Sequence, residues 1–316
     1  MHALGRSHAA LLLAGLLLAG CGGDSSEEGF GDEASAAADQ GTVTIAGQDF
    51  TGGQVMTQLY AKLLESEGFT AKVKLVSTRD LYMPELQSGR VQVVPEYLAG
   101  ITDFLNTEAN GANAKPVSTS DVDGTLSALE PLAEEAGITM LEPSQASDQN
   151  AFFVTTERAD EEGLATLSDL AATGEPVTLA APPDCKGRDD CEKGLTEVYD
   201  LDIAEIVPLG YGTTQTKEAV RDGEADLGQT GTTDGSLKEL DLVLLEDDKG
   251  IQPAQNLTPA VNADFLADNP DLEDVFNELS AALTTDDLAS MNAKVDLERQ
   301  KPEDVAAEFL ADKGLV

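Results

Sequence analysis

The chain has 316 residues and a mass of 33.1 kDa, with 59 acidic against 19 basic residues and a formal net charge of −40. Hydrophobic residues make up 41% of it, enough to bury a core, so the bulk is not of disordered composition. A charge this negative repels a phosphate backbone, which excludes nucleic acid as a partner, and it disfavours docking on anionic lipid through a basic patch.

The first twenty residues stand apart from the rest. Arg6 precedes an apolar run from Ala9 to Gly20, shorter than the roughly 20 residues a bilayer span needs and laid out as a secretory signal. The run ends in Leu18-Ala19-Gly20-Cys21, which resembles the lipobox of bacterial lipoproteins. That resemblance implies a signal peptide over 1–20, cleavage before Cys21 and acylation of its thiol, leaving the protein lipid-anchored on the outer face of the membrane. Residues 21–40, rich in Gly, Ser, Ala and acid, read as a flexible tether. Cleavage removes His2 and His8, the only two histidines. What remains has no Ser-His-Asp triad, no Cys-His pair and no His-ligated metal site. No cofactor is expected. Cys185 and Cys191 close a short polar loop, and in an exported protein a disulfide is the expected state, worth about 2 kcal/mol.

Taken in chain order, the order of the fold begins at the alternating run Thr42 to Ala46, a strand. A helix is expected over 53–67, with Val55, Leu59, Leu63 and Leu64 at helical spacing and Gly68 as its stop. A strand over 72–76, a short helix over 80–88 and a strand over 91–95 follow, the last delivering Glu96-Tyr97. The pattern then restarts: strands over 151–154, 177–180, 206–209, 225–228 and 242–245, with helical stretches over 164–172, 195–199 and 216–222. The tail from about 263 to 315 reads as helical and needs a body to pack on, most naturally the first unit. Such β-α alternation predicts parallel sheets flanked by helices, with ligands beyond the carboxyl ends of strands. The expected fold is α/β and two-lobed, of the periplasmic-binding-protein (Venus-flytrap) kind, lobe 2 inserted in lobe 1. Lobe 1 spans 41–147 and 256–316, lobe 2 spans 148–255, and the chain crossings near Asp148 and Asn256 are the expected hinges. A ligand cleft belongs between them.

Four blocks carry a resemblance: Thr42 to Tyr60, Leu86 to Thr102 with Pro95-Glu96-Tyr97, Leu245 to Val261, and Leu283 to Val295. In register over about 42–313, they resemble the substrate-binding proteins of osmoprotectant ABC importers, the binders of glycine betaine, choline and carnitine. The resemblance implies a receptor that holds a quaternary ammonium ligand in an aromatic cage and delivers it to an ABC permease in the membrane. A quaternary ammonium donates no hydrogen bond, so aromatic faces are its natural receptor, at about 0.5–2 kcal/mol each.

Tyr97 matches the family's Pro-Glu-Tyr position. Tyr211 lies between two glycines on the opposite wall. Tyr82 faces either cleft or core, and Phe50 resembles the family's loop aromatic or else covers the sheet. Gln48, Thr51, Thr78 and Asn150 are hydrogen-bonding candidates, and Asp148 and Asp234 could pair with an amine. Two positions depart from the family: Asn150 stands where a cage tyrosine is common, and Gly231 where an aromatic can precede Thr232-Thr233-Asp234-Gly235. These departures keep open a cargo that is an amino acid or a polyamine. A carboxylate-based glycosidase is disfavoured, because its sugar platforms are usually tryptophan and the chain has none. The protein reads as a receptor, not an enzyme.

Overall fold

The computed structural model describes residues 40–316. The signal peptide, most of the tether and Cys21 lie outside the described residues.

The first half opens with strand β1 (Thr42–Gln48), helix α1 (Thr51–Ser66), β2 (Thr70–Val76), α2 (Arg79–Gln87) and β3 (Val93–Tyr97), and continues through α3 (Leu98–Asn110), α4 (Val122–Glu135) and β4 (Ile138–Met140). The second half contains β5 (Asn150–Thr155), α5 (Thr156–Glu162), α6 (Leu167–Ala172), β6 (Val177–Ala181), α7 (Glu192–Glu197), β7 (Ile203–Pro208), α8 (Thr214–Arg221), β8 (Leu227–Gly231) and β9 (Leu242–Leu245). The chain then returns through β10 (Leu257–Asn262) to α9 (Ala263–Asp268), α10 (Leu272–Ala282), α11 (Thr285–Asp296) and α12 (Pro302–Lys313).

Two five-stranded sheets result, ordered β2-β1-β3-β10-β4 and β7-β6-β8-β5-β9. In each, the strands joined by helical crossovers pair in parallel, β1 with β2 and β3, β6 with β7 and β8. Each sheet also takes in antiparallel strands, β10 beside β3 and β5 beside β8. Strand β10 had no counterpart in the sequence reading because Pro259 sits in its middle. In the register with Pro95 of β3 neither residue is asked to donate across the pair, and on the β4 side the Pro259 carbonyl accepts from the Leu141 amide at 3.0 Å while the Thr258 hydroxyl answers the Leu141 carbonyl at 2.9 Å.

Helix α1 explains how the first lobe holds together. Val55, Met56, Leu59, Tyr60, Leu63 and Leu64 recur at helical spacing and are all buried. One side of α1 covers β1, and the other meets the tail, where Phe276 of α10, Leu288 and Met291 of α11 and Val305, Phe309 and Leu310 of α12 join the same cluster. The Tyr60 and Phe276 rings meet edge to face at 5.1 Å. Helix α11 is started by a capping box in which Thr284 and Asp287 exchange side-chain and backbone bonds. The second lobe has its own core around Phe152, Leu167, Leu179, Leu195, Tyr199 and Leu227, and the Cys185–Cys191 disulfide is formed and buried within it.

The two segments that cross between the sheets run side by side. Ser147 and Asn256 form an antiparallel bridge, and the Asp148 amide donates to the Gln255 carbonyl at 3.1 Å. Asp148 therefore stands at the floor of the space between the lobes.

Candidate functional site

A cleft of about 790 Å³ is lined by residues from both lobes. Phe50 caps the amino end of α1, Thr51 and Gly52 open that helix, and Asn292 and Asp296 come from α11. Asp148 comes from the crossing, Lys217 from α8, Thr230 and Gly231 from β8, and Tyr211, Thr233 and Asp234 from the loops beside them.

One aromatic ring, that of Phe50, lines the cleft from the first lobe, and Tyr97, outside that lining, packs against it. Phe50 stacks on Tyr97 with 6.3 Å between centroids and 25° between planes. Phe50 is 41% exposed, whereas Tyr97 packs against the lobe 1 core and its hydroxyl is buried without a well-formed hydrogen bond. Tyr97 ends β3 and leans on the Asp148 carboxylate, so burial first, and then that charge, push its phenol well above the usual range. Opposite stands Tyr211, 46% exposed, in the loop after β7 between Gly210 (φ +101°) and Gly212 (φ +57°), both in the left-handed region. Burial and the nearby Asp148 raise its phenol too.

Asp148 joins the two walls. Its Oδ1 accepts from the Thr233 hydroxyl at 2.7 Å. Burial raises its carboxyl above the usual range, against the lowering pull of the Thr233 and Tyr97 hydroxyls. Gly231 stands beside this carboxylate and adds no side chain there. A Cβ at that position would lie 3.4 Å from Asp148 Oδ1 and 2.9 Å from the Tyr211 hydroxyl. Where a family aromatic could stand, the Tyr211 hydroxyl already reaches in from the neighbouring loop.

Asp234 is held differently. Its carboxylate meets Lys217 Nζ at 2.6 Å and accepts from the Thr230 and Ser236 hydroxyls at 2.6 and 2.7 Å. Burial would raise it, but those contacts outweigh burial and hold it below the usual range.

The remaining candidates are dispersed. Thr51 begins α1 and donates to Asp296 at 2.7 Å on the cleft rim. Tyr82 is buried in the lobe 1 core, with Met83 and Leu86 on the same face of α2. Its hydroxyl donates to Glu96 at 2.5 Å, and Gln48, at the end of β1, reaches the same phenol. Thr78 is exposed ahead of α2 and does not line the cleft. Asn150 donates to Asp190 at 2.9 Å and lines a separate cavity of about 480 Å³ with Gln149, Asp247 and Gln252.

Lys217, Thr230, Thr233, Asn292 and Asp296 were not singled out in the sequence. Asn292 comes from the block Leu283 to Val295, which carried the resemblance without a site residue being drawn from it, and Asp296 directly follows that block.

The same helix joins the lobes. Asn292 Nδ2 donates to the Thr233 carbonyl at 3.2 Å. A Cβ at Gly235 would run into the Ala289 carbonyl and come within 2.6 Å of the Ala293 Cβ. Gly235→Ala is therefore expected to cost about 1–3 kcal/mol, seen as a lowered melting temperature. An unchanged melt would mean that the loop and α11 separate freely.

The family model for the substrate-binding domain of the ABC-type glycine betaine transport system matches residues 41–312. The chain belongs to that family. As a member it is a substrate-binding receptor of an ABC importer and not an enzyme. Relatives include a glycine-betaine-binding protein of Pseudomonas aeruginosa, 27% identical over 286 residues and covering 87% of this chain and 89% of that protein. A carnitine transport binding protein of Listeria monocytogenes, OpuCC, is 24% identical over 305 residues, covering 95% and 91%. Among solved structures, apo YehZ from Escherichia coli superimposes with a TM-score of 0.76 at 23% identity, covering 87% of this chain and 99% of that one. A glycine betaine/carnitine/choline ABC transporter protein gives 0.74 at 22% identity, covering 86% and 99%. At these identities the structural likeness establishes the two-lobed fold.

Proposed function

We propose that the protein captures a quaternary-ammonium osmoprotectant of the glycine betaine, choline or carnitine class in the cleft between its lobes. It holds the ammonium against Phe50, Tyr97 and Tyr211 and delivers it to an ABC permease. The observation that carries this reading is that Phe50 and Tyr211 line one cleft from opposite lobes together with the Asp148 carboxylate, while Tyr97 stacks on Phe50 and leans on that same carboxylate. Each aromatic face contributes about 0.5–2 kcal/mol toward a quaternary ammonium. Three faces and a hydrogen-bonded polar end reach roughly −8 kcal/mol, a micromolar constant.

The lobes divide at 41–147, 148–255 and 256–316, with hinges at the paired crossing of Asp148 and Asn256. Ligand seated against one lobe then recruits the other, and the closed form is stabilised by its greater affinity for the ligand. The receptor works outside the cytoplasmic membrane, tethered through an acylated Cys21 and the segment 21–40.

Isothermal titration of the purified protein, unfolded and refolded to strip carried-over solute, tests this. The panel holds glycine betaine, choline, carnitine, amino acids and polyamines. Micromolar binding of a quaternary ammonium is expected. Binding confined to an amino acid or a polyamine would keep the receptor and overturn the cargo.

A further inference from the structure

The cleft treats charge unevenly. Among the described residues, the other buried or partly buried carboxylates around it have a cation: Glu96 has Arg79 at 2.8 Å, Asp234 has Lys217 at 2.6 Å, and Asp190 has Arg188 at 2.6 Å. Asp148 has no cation: the Thr233 hydroxyl donates to it at 2.7 Å and the Tyr97 phenol lies near it without a well-formed bond. Asp148, Asp234, Glu239 and Asp296 line the cleft against Lys217 as its one basic residue. Lys217 is already committed to Asp234 and to the Ser236 hydroxyl at 2.8 Å.

The features that could favour an anion are occupied as well. Asp296 faces the amino end of α1, accepting from Thr51, and the Thr213 side chain caps α8. Gly231 meanwhile adds no side chain beside the Asp148 carboxylate, which lines the cleft.

We infer that Asp148 makes this cleft select a cargo of net positive charge, a quaternary amino alcohol of the choline type, over the zwitterionic betaines. The inference rests on the quaternary-ammonium reading above and narrows it. A quaternary amino alcohol offers Asp148 its positive charge and a hydroxyl that donates to the carboxylate. A betaine offers the same ammonium with a carboxylate that can only accept. Bringing that second carboxylate beside Asp148, in a site shielded from water, sets like charges against each other where screening is weak. The consequence is a preference of at least about tenfold.

The test titrates choline and glycine betaine into the full chain and into Asp148→Asn. Wild-type protein is expected to bind choline at least about tenfold more tightly than glycine betaine, and the variant to narrow or invert that ratio. Equal or tighter binding of glycine betaine by the wild type overturns the inference, as does an unchanged ratio in a folded variant. The wild-type ratio decides even if Asp148→Asn fails to fold. Silence from both solutes overturns this inference, and silence from carnitine as well would overturn the quaternary-ammonium reading beneath it, a result distinct from glycine betaine binding as well as choline.

Discussion

Truncating Tyr211 to alanine is expected to raise the dissociation constant for the quaternary ammonium about tenfold or more while leaving the melting temperature nearly where it was. The ring is 46% exposed and flanked by glycines, so little packing is lost with it. Its removal takes away the second-lobe wall of the cage and the hydroxyl that stands over Gly231 beside Asp148. Tyr97 calls for a gentler change, because its ring packs on the lobe 1 core as well as on Phe50. Tyr97→Leu keeps much of that volume while removing the π face, and it should weaken binding by a similar factor. A double replacement should abolish measurable binding. If either single variant, shown folded by circular dichroism, retained wild-type affinity, that ring would not belong to the cage.

Arg79→Met is expected to destabilise the fold by about 3–5 kcal/mol, read from denaturant unfolding. Arg79 grips Glu96 with two hydrogen bonds of 2.8 Å, and the Glu96 side chain has no exposed surface. Although burial would lower the guanidinium, Glu96 outweighs it and holds Arg79 more firmly protonated than usual. The cost of the variant is the charge it leaves behind: a carboxylate at the end of β3 with only the Tyr82 hydroxyl and the Tyr97 amide to answer it. Replacing both partners, Arg79→Met with Glu96→Leu, should recover most of the loss, because no buried charge is then uncompensated. A single variant as stable as the wild type would mean that water reaches the pair. Since Glu96 accepts from the Tyr97 amide at 3.1 Å, the same network fixes where Tyr97 stands.

The parts of the fold legible in the sequence were those where one local signal acts alone. The alternation in Thr42 to Ala46 and the helical spacing of Val55, Leu59 and Leu63 each point one way, and glycines mark the stops. Strand β10 was illegible because proline normally argues against a central strand, and what makes Pro259 acceptable is its register with β3 and the Thr258 hydroxyl that bonds the Leu141 carbonyl in its place. Tyr97 was expected just beyond its strand and instead forms the last residue of β3. Likewise the strand expected over 225–228 is shifted to Leu227–Gly231, which sets Gly231 opposite Asn150. Residues 98–147 hold α3, α4 and β4, elements not assigned in the sequence reading.

The site follows the same division. Phe50, Tyr97, Tyr211 and Asp148 sit in loops, at a strand end or at a crossing, the places the topology marks for ligands. Tyr82 lies on a helix, and which face of α2 turns inward depends on the sheet it meets. Asn292 and Asp296 come from the tail, whose approach to the cleft is decided by how α11 and α12 pack on α1.

The most direct measurement is a crystal structure of the protein with a bound quaternary ammonium. It is predicted to show the ammonium in the cleft, within about 6 Å of the Tyr97 and Tyr211 ring centroids, with its polar end near Asp148. A ligand seated elsewhere, such as the cavity lined by Asn150 and Gln252, or bound without contact to those rings, would contradict it.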